Sequence, residues 1–179
     1  QVISTRDGKQ AKATFKCGQL IEYIETKTAI KDTGTQVMFI PDPTIFKDGI
    51  ELNVDLLRKQ LQELAFLSPG LKFALTVNSS TEEIASKNGL LDYLDYLAKE
   101  KDNLTSKFFA ETNEGRIGVK VALMYVDQYI DTYKLYTNSI PNTSGTHLTG
   151  FRTALTQAVN TYAREKNLLK EKNENLTGD

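Results

Sequence analysis

Apolar and polar positions alternate from Gln1 to about Ile24, with Ala11, Ala13 and Phe15 set between polar neighbours. The pairs Asp7-Gly8 and Cys17-Gly18 interrupt this alternation as tight turns, so the segment predicts a β-meander. Thr35 to Ile40 predicts a further strand. Asn53 stands as an N-cap ahead of Val54, Leu57, Leu61 and Leu64, which recur on one helical face through Phe66; Ser68-Pro69-Gly70 then stops the helix. Leu71 to Val77 returns as a strand. The stretch from Asn78 to Asn88 is polar and ambiguous, and Ser80 with Glu83 fits a capping box that would open a helix there. Past Asn88-Gly89, the positions Leu90, Leu94 and Leu97 predict a short helix. Ile117 to Asp127 and Asp131 to Ile140 read as an antiparallel pair joined across Asp127 to Asp131. Ile140-Pro141 closes that second strand and Asn142 to Gly145 form a polar loop. Thr146 opens a helix whose apolar positions are Leu148, Phe151, Leu155, Ala158, Val159 and Tyr162, followed by a charged tail, Arg164 to Lys172, without apolar periodicity.

At 179 residues the chain holds one domain or parts of two, with enough length for a hydrophobic core. Its 22 basic and 23 acidic residues nearly cancel, which excludes binding of nucleic acid by bulk charge and leaves only local contact. The single cysteine, Cys17, has no internal disulfide partner, and no run of about 18 apolar residues exists to span a membrane. A reducing, cytoplasmic setting is the expectation. The start, Gln1-Val2-Ile3, has no signal-peptide pattern and no initiating methionine, which reads as a fragment or a processed chain.

Residue types alone do not announce an enzyme. There is no G-x-x-x-x-G-K-[ST] phosphate loop, no Cys/His metal cluster and no Ser-His-Asp set. The sole histidine, His147, lies at a helix start, where N–H dipoles disfavour the imidazolium, and it reads as structural or solvent-facing. Glu82-Glu83, Glu100 and Asp102 read as solvated surface. The N–H groups at the Thr146 helix start have the geometry that receives a phosphate, but most loops of this kind are plain connections.

Residue order says more. Ile140-Pro141, then G-T-H-L-T-G-F-R-T-A-L-T from Gly145 to Thr156, N-x-Y-A-R from Asn160, and K-N-E-N-L-T-G-D from Lys172 closely resemble the ATPase subunits of bacterial type IIA topoisomerases, namely the B subunits of DNA gyrase and of topoisomerase IV. Two further blocks agree, in the family's order: T-G-T-Q-V-M-F-I-P-D-P from Thr33, with L-A-F-L-S-P-G from Leu64 after it, and I-G-V-K-V-A-L from Ile117. The resemblance implies an α+β fold in which residues 1–88 are the C-terminal half of a GHKL-type ATPase α/β sandwich and residues 89–179 the first half of the transducer domain. It favours a short strand, then a crossing between domains, for Asn78 to Asn88.

The resemblance also nominates residues. Thr35 matches a threonine that reaches the adenine of ATP through an ordered water, and a hydroxyl suits that role because it both donates and accepts. Gly34 would let backbone and water approach the purine, and Val37 would line the apolar pocket. Arg6, in the R-D-G-K turn, matches an arginine at the pocket mouth that aminocoumarin-type inhibitors also touch. Arg152, in G-F-R, matches a basic residue facing the cavity through which a DNA duplex passes; its guanidinium suits phosphate contact without base reading. Without the match, Thr35 reads as a plain β-former, Arg6 as an exposed turn charge and Arg152 as a solvated helix flank.

No catalytic or metal-binding residue is expected within this chain. The family's general-base glutamate, magnesium-binding asparagine, adenine-binding aspartate and glycine-rich lid are expected before Gln1, and its phosphate-sensing lysine beyond Asp179. The polypeptide by itself is therefore expected neither to hydrolyse ATP nor to bind it tightly; magnesium-dependent turnover by the purified chain would refute this. For the parent enzyme the resemblance implies ATP, magnesium, DNA, a DNA-cleaving partner (the A subunit of gyrase or of topoisomerase IV) and ATP-driven homodimerisation. Ser144 departs from the family, which has a glycine there. Two other classes stay open: a GHKL relative of the mismatch-repair or chaperone type, and a non-catalytic binding module using the Arg164 to Lys172 tail.

Overall fold

The computed structural model describes residues 1–47, 49–170 and 173–178. The fold is α+β, with antiparallel sheets and three helices among the described residues. The chain forms two compact units, Gln1–Leu57 and a second from Arg58 onward.

In the first unit β1 (Val2–Arg6), β2 (Lys9–Lys16), β3 (Gln19–Lys27) and β4 (Gly34–Val37) form one sheet in the order β3-β2-β1-β4. The meander follows from its turns. Asp7 (φ 50°) with Gly8 (φ 72°), and Cys17 (φ 50°) with Gly18 (φ 78°), have the left-handed backbone at both central positions that a type I′ hairpin needs. β4 is shorter than the expected Thr35 to Ile40. Val37 pairs with Val2, and Met38 exchanges backbone hydrogen bonds with Gln1. No described residue of this unit is buried, and Val37, Met38, Phe39 and Ile40 are all exposed. β1 and β2 are half-buried over most of their length, whereas β3 and β4 are exposed throughout.

α1 (Val54–Leu67) spans the division between the units. It starts where expected, because the Asn53 side chain accepts the Leu56 N–H at 2.9 Å. Within the second unit come β5 (Lys72–Val77) and β6 (Ser80–Ala85), α2 (Leu90–Leu97), the hairpins β7 (Phe108–Glu114)/β8 (Ile117–Leu123) and β9 (Leu135–Thr137)/β10 (Ile140–Asn142), and α3 (Thr146–Glu165). The core among the described residues lies here: Ala65, Phe66, Ile84, Tyr93, Ala98 and Ala163.

One alternative is set aside and three expectations are corrected. The Ser80–Glu83 capping box does not form; Asn78 (φ 47°) and Ser79 (φ 68°) make a two-residue turn and Ser80 starts β6, a strand as the resemblance favoured. Ile117 to Asp127 does not pair with the Asp131 segment. Its partner is the unforeseen β7, joined through Gly115 (φ 59°), the glycine that a type II′ turn needs at its first central position. Ile140-Pro141 does not end a strand but lies in β10, which turns back on β9 through Asn138 (φ 50°) and Ser139 (φ 66°). On α3, Leu148, Phe151 and Leu155 are half-buried as expected, but beyond them Asn160 and Ala163 are buried while Val159 and Tyr162 are exposed. The cause is residues 173–176, which fold back along the helix. The Asn160 amide exchanges hydrogen bonds with Leu176, donating to its carbonyl (2.9 Å) and accepting its N–H (2.7 Å), and the Arg164 guanidinium donates to Asn175 Oδ1 (2.6 Å) and the Asn173 carbonyl (3.1 Å). Part of the Arg164 to Lys172 tail, Glu171 and Lys172, lies outside the described residues.

Among the described residues no helix is long and apolar enough to cross a membrane.

Candidate functional site

Register brings the first group of candidates together. Ser4 pairs with Thr35, Val2 with Val37, and Ser4 with Ala11. Directly paired residues share a sheet face, and residues two apart on a strand do as well. Thr35, Val37 and Arg6 therefore lie on one face, with Val2, Ser4, Ala11 and Ala13 between and beside them, whereas Gly34, paired with Thr5, lies on the other. The middle of that face carries the small side chains of Ser4, Ala11 and Ala13. Gly34 has open space where a side chain would be.

Charges collect at the Arg6 end. Arg6 Nε is 3.4 Å from Asp7, and Arg6 pairs in register with Lys9. Lys9 Nζ donates to Glu25 Oε1 at 2.9 Å, and the Tyr23 hydroxyl donates to Glu25 Oε2 at 3.2 Å. The hydrogen bond from Lys9 lowers the Glu25 pKa, and the same bond raises that of Lys9. All of these groups are exposed.

In the second unit Arg152 projects from α3 with its guanidinium carbon 4.8 Å from the centroid of the Tyr133 ring. Both line an open cleft of ≈ 490 Å³ together with Glu63, Lys134, Tyr136 and Leu148. Below it the Tyr93 hydroxyl contacts Glu63 Oε1 and the Tyr136 hydroxyl, each at 2.9 Å, and Lys134 Nζ is 3.3 Å from Glu63. Tyr93 also stacks on Phe66 with centroids 4.8 Å apart. Burial pushes the Tyr93 phenol far above the usual tyrosine range, so it stays a neutral donor. His147 is exposed in the first turn of α3, its ring against Gly145. Ser144 is not among the positive-φ residues, so replacing the family's glycine there strains nothing.

Asp92, which the sequence did not single out, locks the passage from β6 into α2. Its carboxylate accepts hydrogen bonds from Ser86 Oγ (2.7 Å), the Asn88 N–H and Asn88 Nδ2 (2.9 Å each) and the Lys87 N–H (3.2 Å), while Ser86 Oγ accepts the Gly89 N–H at 2.9 Å. The Asn88 N–H chiefly, working against burial, holds its pKa down to about 2. A folded pKa below the unfolded one gives stability that is fully present above the unfolded value and is lost as pH falls through the folded one. Asp92→Asn is therefore expected to cost about 1–3 kcal/mol at neutral pH and to flatten the loss of stability between pH 4 and 2. Urea melts of the two proteins across that window check this; parallel curves would contradict it.

Among the described residues no group of three or more His, Cys, Asp or Glu side chains is arranged to hold a metal.

Comparison with known proteins agrees with the blocks noted in the sequence. The family model for DNA gyrase B matches residues 89–179. The chain is 34% identical over 180 residues to the DNA gyrase B subunit of Streptococcus pyogenes serotype M1, covering 97% of this chain and 28% of that protein. It is 36% identical over 185 residues to the DNA topoisomerase 4 B subunit of Streptococcus pneumoniae serotype 4, covering 99% and 28%. The chain thus spans less than a third of these relatives. Among solved structures, the 43K ATPase domain of Thermus thermophilus gyrase B, in complex with an aminocoumarin, superposes with a TM-score of 0.82 at 32% identity, covering 99% of this chain and 50% of that one. The B-subunit of the Myxococcus xanthus DNA gyrase shares the fold, with a TM-score of 0.81 at 20% identity over 90% of this chain and 49% of that one. The similar identities to the gyrase and topoisomerase IV relatives do not separate the two, and the chain belongs to the DNA gyrase B family.

Proposed function

We propose that this chain is part of the ATPase subunit of a type II DNA topoisomerase and helps couple ATP binding and hydrolysis to passage of a DNA duplex. Residues 1–88 belong to the C-terminal part of the GHKL ATPase domain and residues 89–179 to the N-terminal part of the transducer. The observation that carries this reading is the β1–β4 register, which sets Arg6, Thr35 and Val37 on one face above small side chains.

On this reading Thr35 holds the water beneath the adenine, Val37 and the small residues shape the apolar wall, Gly34 gives backbone access and Arg6 guards the mouth. A planar purine gains from apolar contact on its face and from one fixed polar anchor at its edge. The catalytic groups and the magnesium site come from other parts of the parent protein. ATP binding favours the closed dimer, and the transducer carries that state to the DNA-cleaving partner, gyrase A or its topoisomerase IV counterpart. Arg152 offers a guanidinium to phosphates of the passing duplex, and the whole operates in the cytoplasm.

Thr35→Val keeps the shape of the side chain and removes its hydroxyl. In the complete parent protein it is expected to weaken ATP binding about tenfold, the effect of losing roughly 1.4 kcal/mol of hydrogen bonding. Titration with a non-hydrolysable ATP analogue measures it, and unchanged affinity would remove Thr35 from the pocket.

A further inference from the structure

The only described contact of the Arg152 guanidinium is a ring. Among the described residues it forms no ion pair and no hydrogen bond, and its Cζ lies over the Tyr133 ring at 4.8 Å from the centroid. The other cation lining the cleft, Lys134, is engaged by Glu63 at 3.3 Å. From Thr146 to Ala163 α3 carries no acidic residue, so nothing on its own helix neutralises Arg152. Tyr133 is itself held, its hydroxyl donating to Asp131 Oδ2 at 3.2 Å.

We propose that Tyr133 is a positioning residue for Arg152: its ring holds the guanidinium by the face and leaves the N–H edge free for a DNA phosphate. The proposal rests on the reading of Arg152 as a duplex contact. A carboxylate partner would fix Arg152 equally well but would occupy the donors a phosphate needs. A free arginine side chain loses rotamer freedom when it is fixed, and a ring that has already restricted it reduces the part lost on contact. The ring adds no charge, so it raises affinity without adding a counterion-releasing contact.

The test is binding of a short DNA duplex to the full chain at low ionic strength, by fluorescence anisotropy, for the wild type, Arg152→Gln, Tyr133→Leu, Tyr133→Phe and the Tyr133→Leu/Arg152→Gln pair. Arg152→Gln is expected to weaken binding about fivefold and to reduce the slope of log affinity against log salt by about 0.9. Tyr133→Leu is expected to weaken it two- to threefold with the slope unchanged, Tyr133→Phe to match the wild type, and the double variant to bind no more weakly than Arg152→Gln. The Arg152 side-chain NMR signals are expected to show a ring-current shift that Tyr133→Leu removes and Tyr133→Phe keeps. If Arg152→Gln binds like the wild type, the duplex reading of Arg152 fails and the proposal with it. If Arg152→Gln weakens binding while Tyr133→Leu does not, the positioning role alone fails. Equal losses in Tyr133→Phe and Tyr133→Leu would likewise overturn it, by assigning the effect to the hydroxyl on Asp131.

Discussion

Gly89→Ala is expected to destabilise the second unit by about 3–5 kcal/mol, the sum of a strained backbone and an overpacked contact. Gly89 precedes α2 with φ 60° and ψ −118°, a conformation open to glycine and costly for any residue with a Cβ. The added carbon would also meet Pro69 Cγ at 2.6 Å and the Phe66 carbonyl oxygen at 3.1 Å. Relief is hard to find, because Pro69 is a ring at the end of α1 and the Gly89 N–H is already bonded to Ser86 Oγ. Gly115 serves as the control: its φ is 59°, but its Cβ would enter open space, so Gly115→Ala is expected to cost about 1 kcal/mol, the backbone part alone. Urea unfolding of both variants measures the difference. Equal costs would mean that the contact with Pro69 and Phe66 does not constrain this joint.

Tyr93→Leu is expected to cost about 3–4 kcal/mol, and Tyr93→Phe about 1–2 kcal/mol. Tyr93 is 3% exposed, stacked on Phe66, and its hydroxyl is shared with Glu63 and Tyr136. Leucine leaves a cavity against Phe66 and deprives Glu63 and Tyr136 of a partner, whereas phenylalanine keeps the stack and loses only the hydroxyl. The gap between the two variants measures the ring. Because Glu63 lies on α1, Tyr93 on α2 and Tyr136 on β9, this cluster ties three elements of the second unit together beneath the cleft that holds Arg152. If Tyr93→Phe were as damaging as Tyr93→Leu, the polar network and not the packing would dominate.

Much of this architecture is legible in local chemistry, and the failures have local causes. Asp7-Gly8 and Cys17-Gly18 announce their turns because glycine is the common solution to a left-handed backbone. Asn78-Ser79 and Asn138-Ser139 adopt the same conformation without glycine, so the turns are hidden and the strands they join are easily mistaken or cut short. β7 escapes notice because Phe108 to Glu114 runs F-F-A-E-T-N-E without alternation; Gly115 at the turn is the available signal. The Asn53 cap is readable because it is a single local hydrogen bond. The buried flank of α3 does not follow its apolar positions, because residues 173–176, distant in sequence, dock on Asn160 and Arg164.

The candidate site divides in the same way. Thr35, Val37 and Arg6 enter through a resemblance of residue order, and nothing in their spacing shows that a strand pairing sets them on one face. That fact belongs to the register between β1 and β4. Asp92 looks like one more surface acid of a short helix, and only the four donors converging on it reveal the lock. Tyr133 lies in a segment that reads as plain strand, and its ring acquires meaning only beside Arg152.

The most direct test of the central claim is hydrogen–deuterium exchange on the complete parent protein carrying this chain, with and without a non-hydrolysable ATP analogue and magnesium. The account predicts that peptides covering β1 and β4, including Arg6 and Gly34 to Val37, become protected on binding, and that Thr35→Val reduces that protection at a fixed analogue concentration. Saturable binding of the analogue with exchange unchanged over both strands would contradict it, because the nucleotide would then lie elsewhere in the protein.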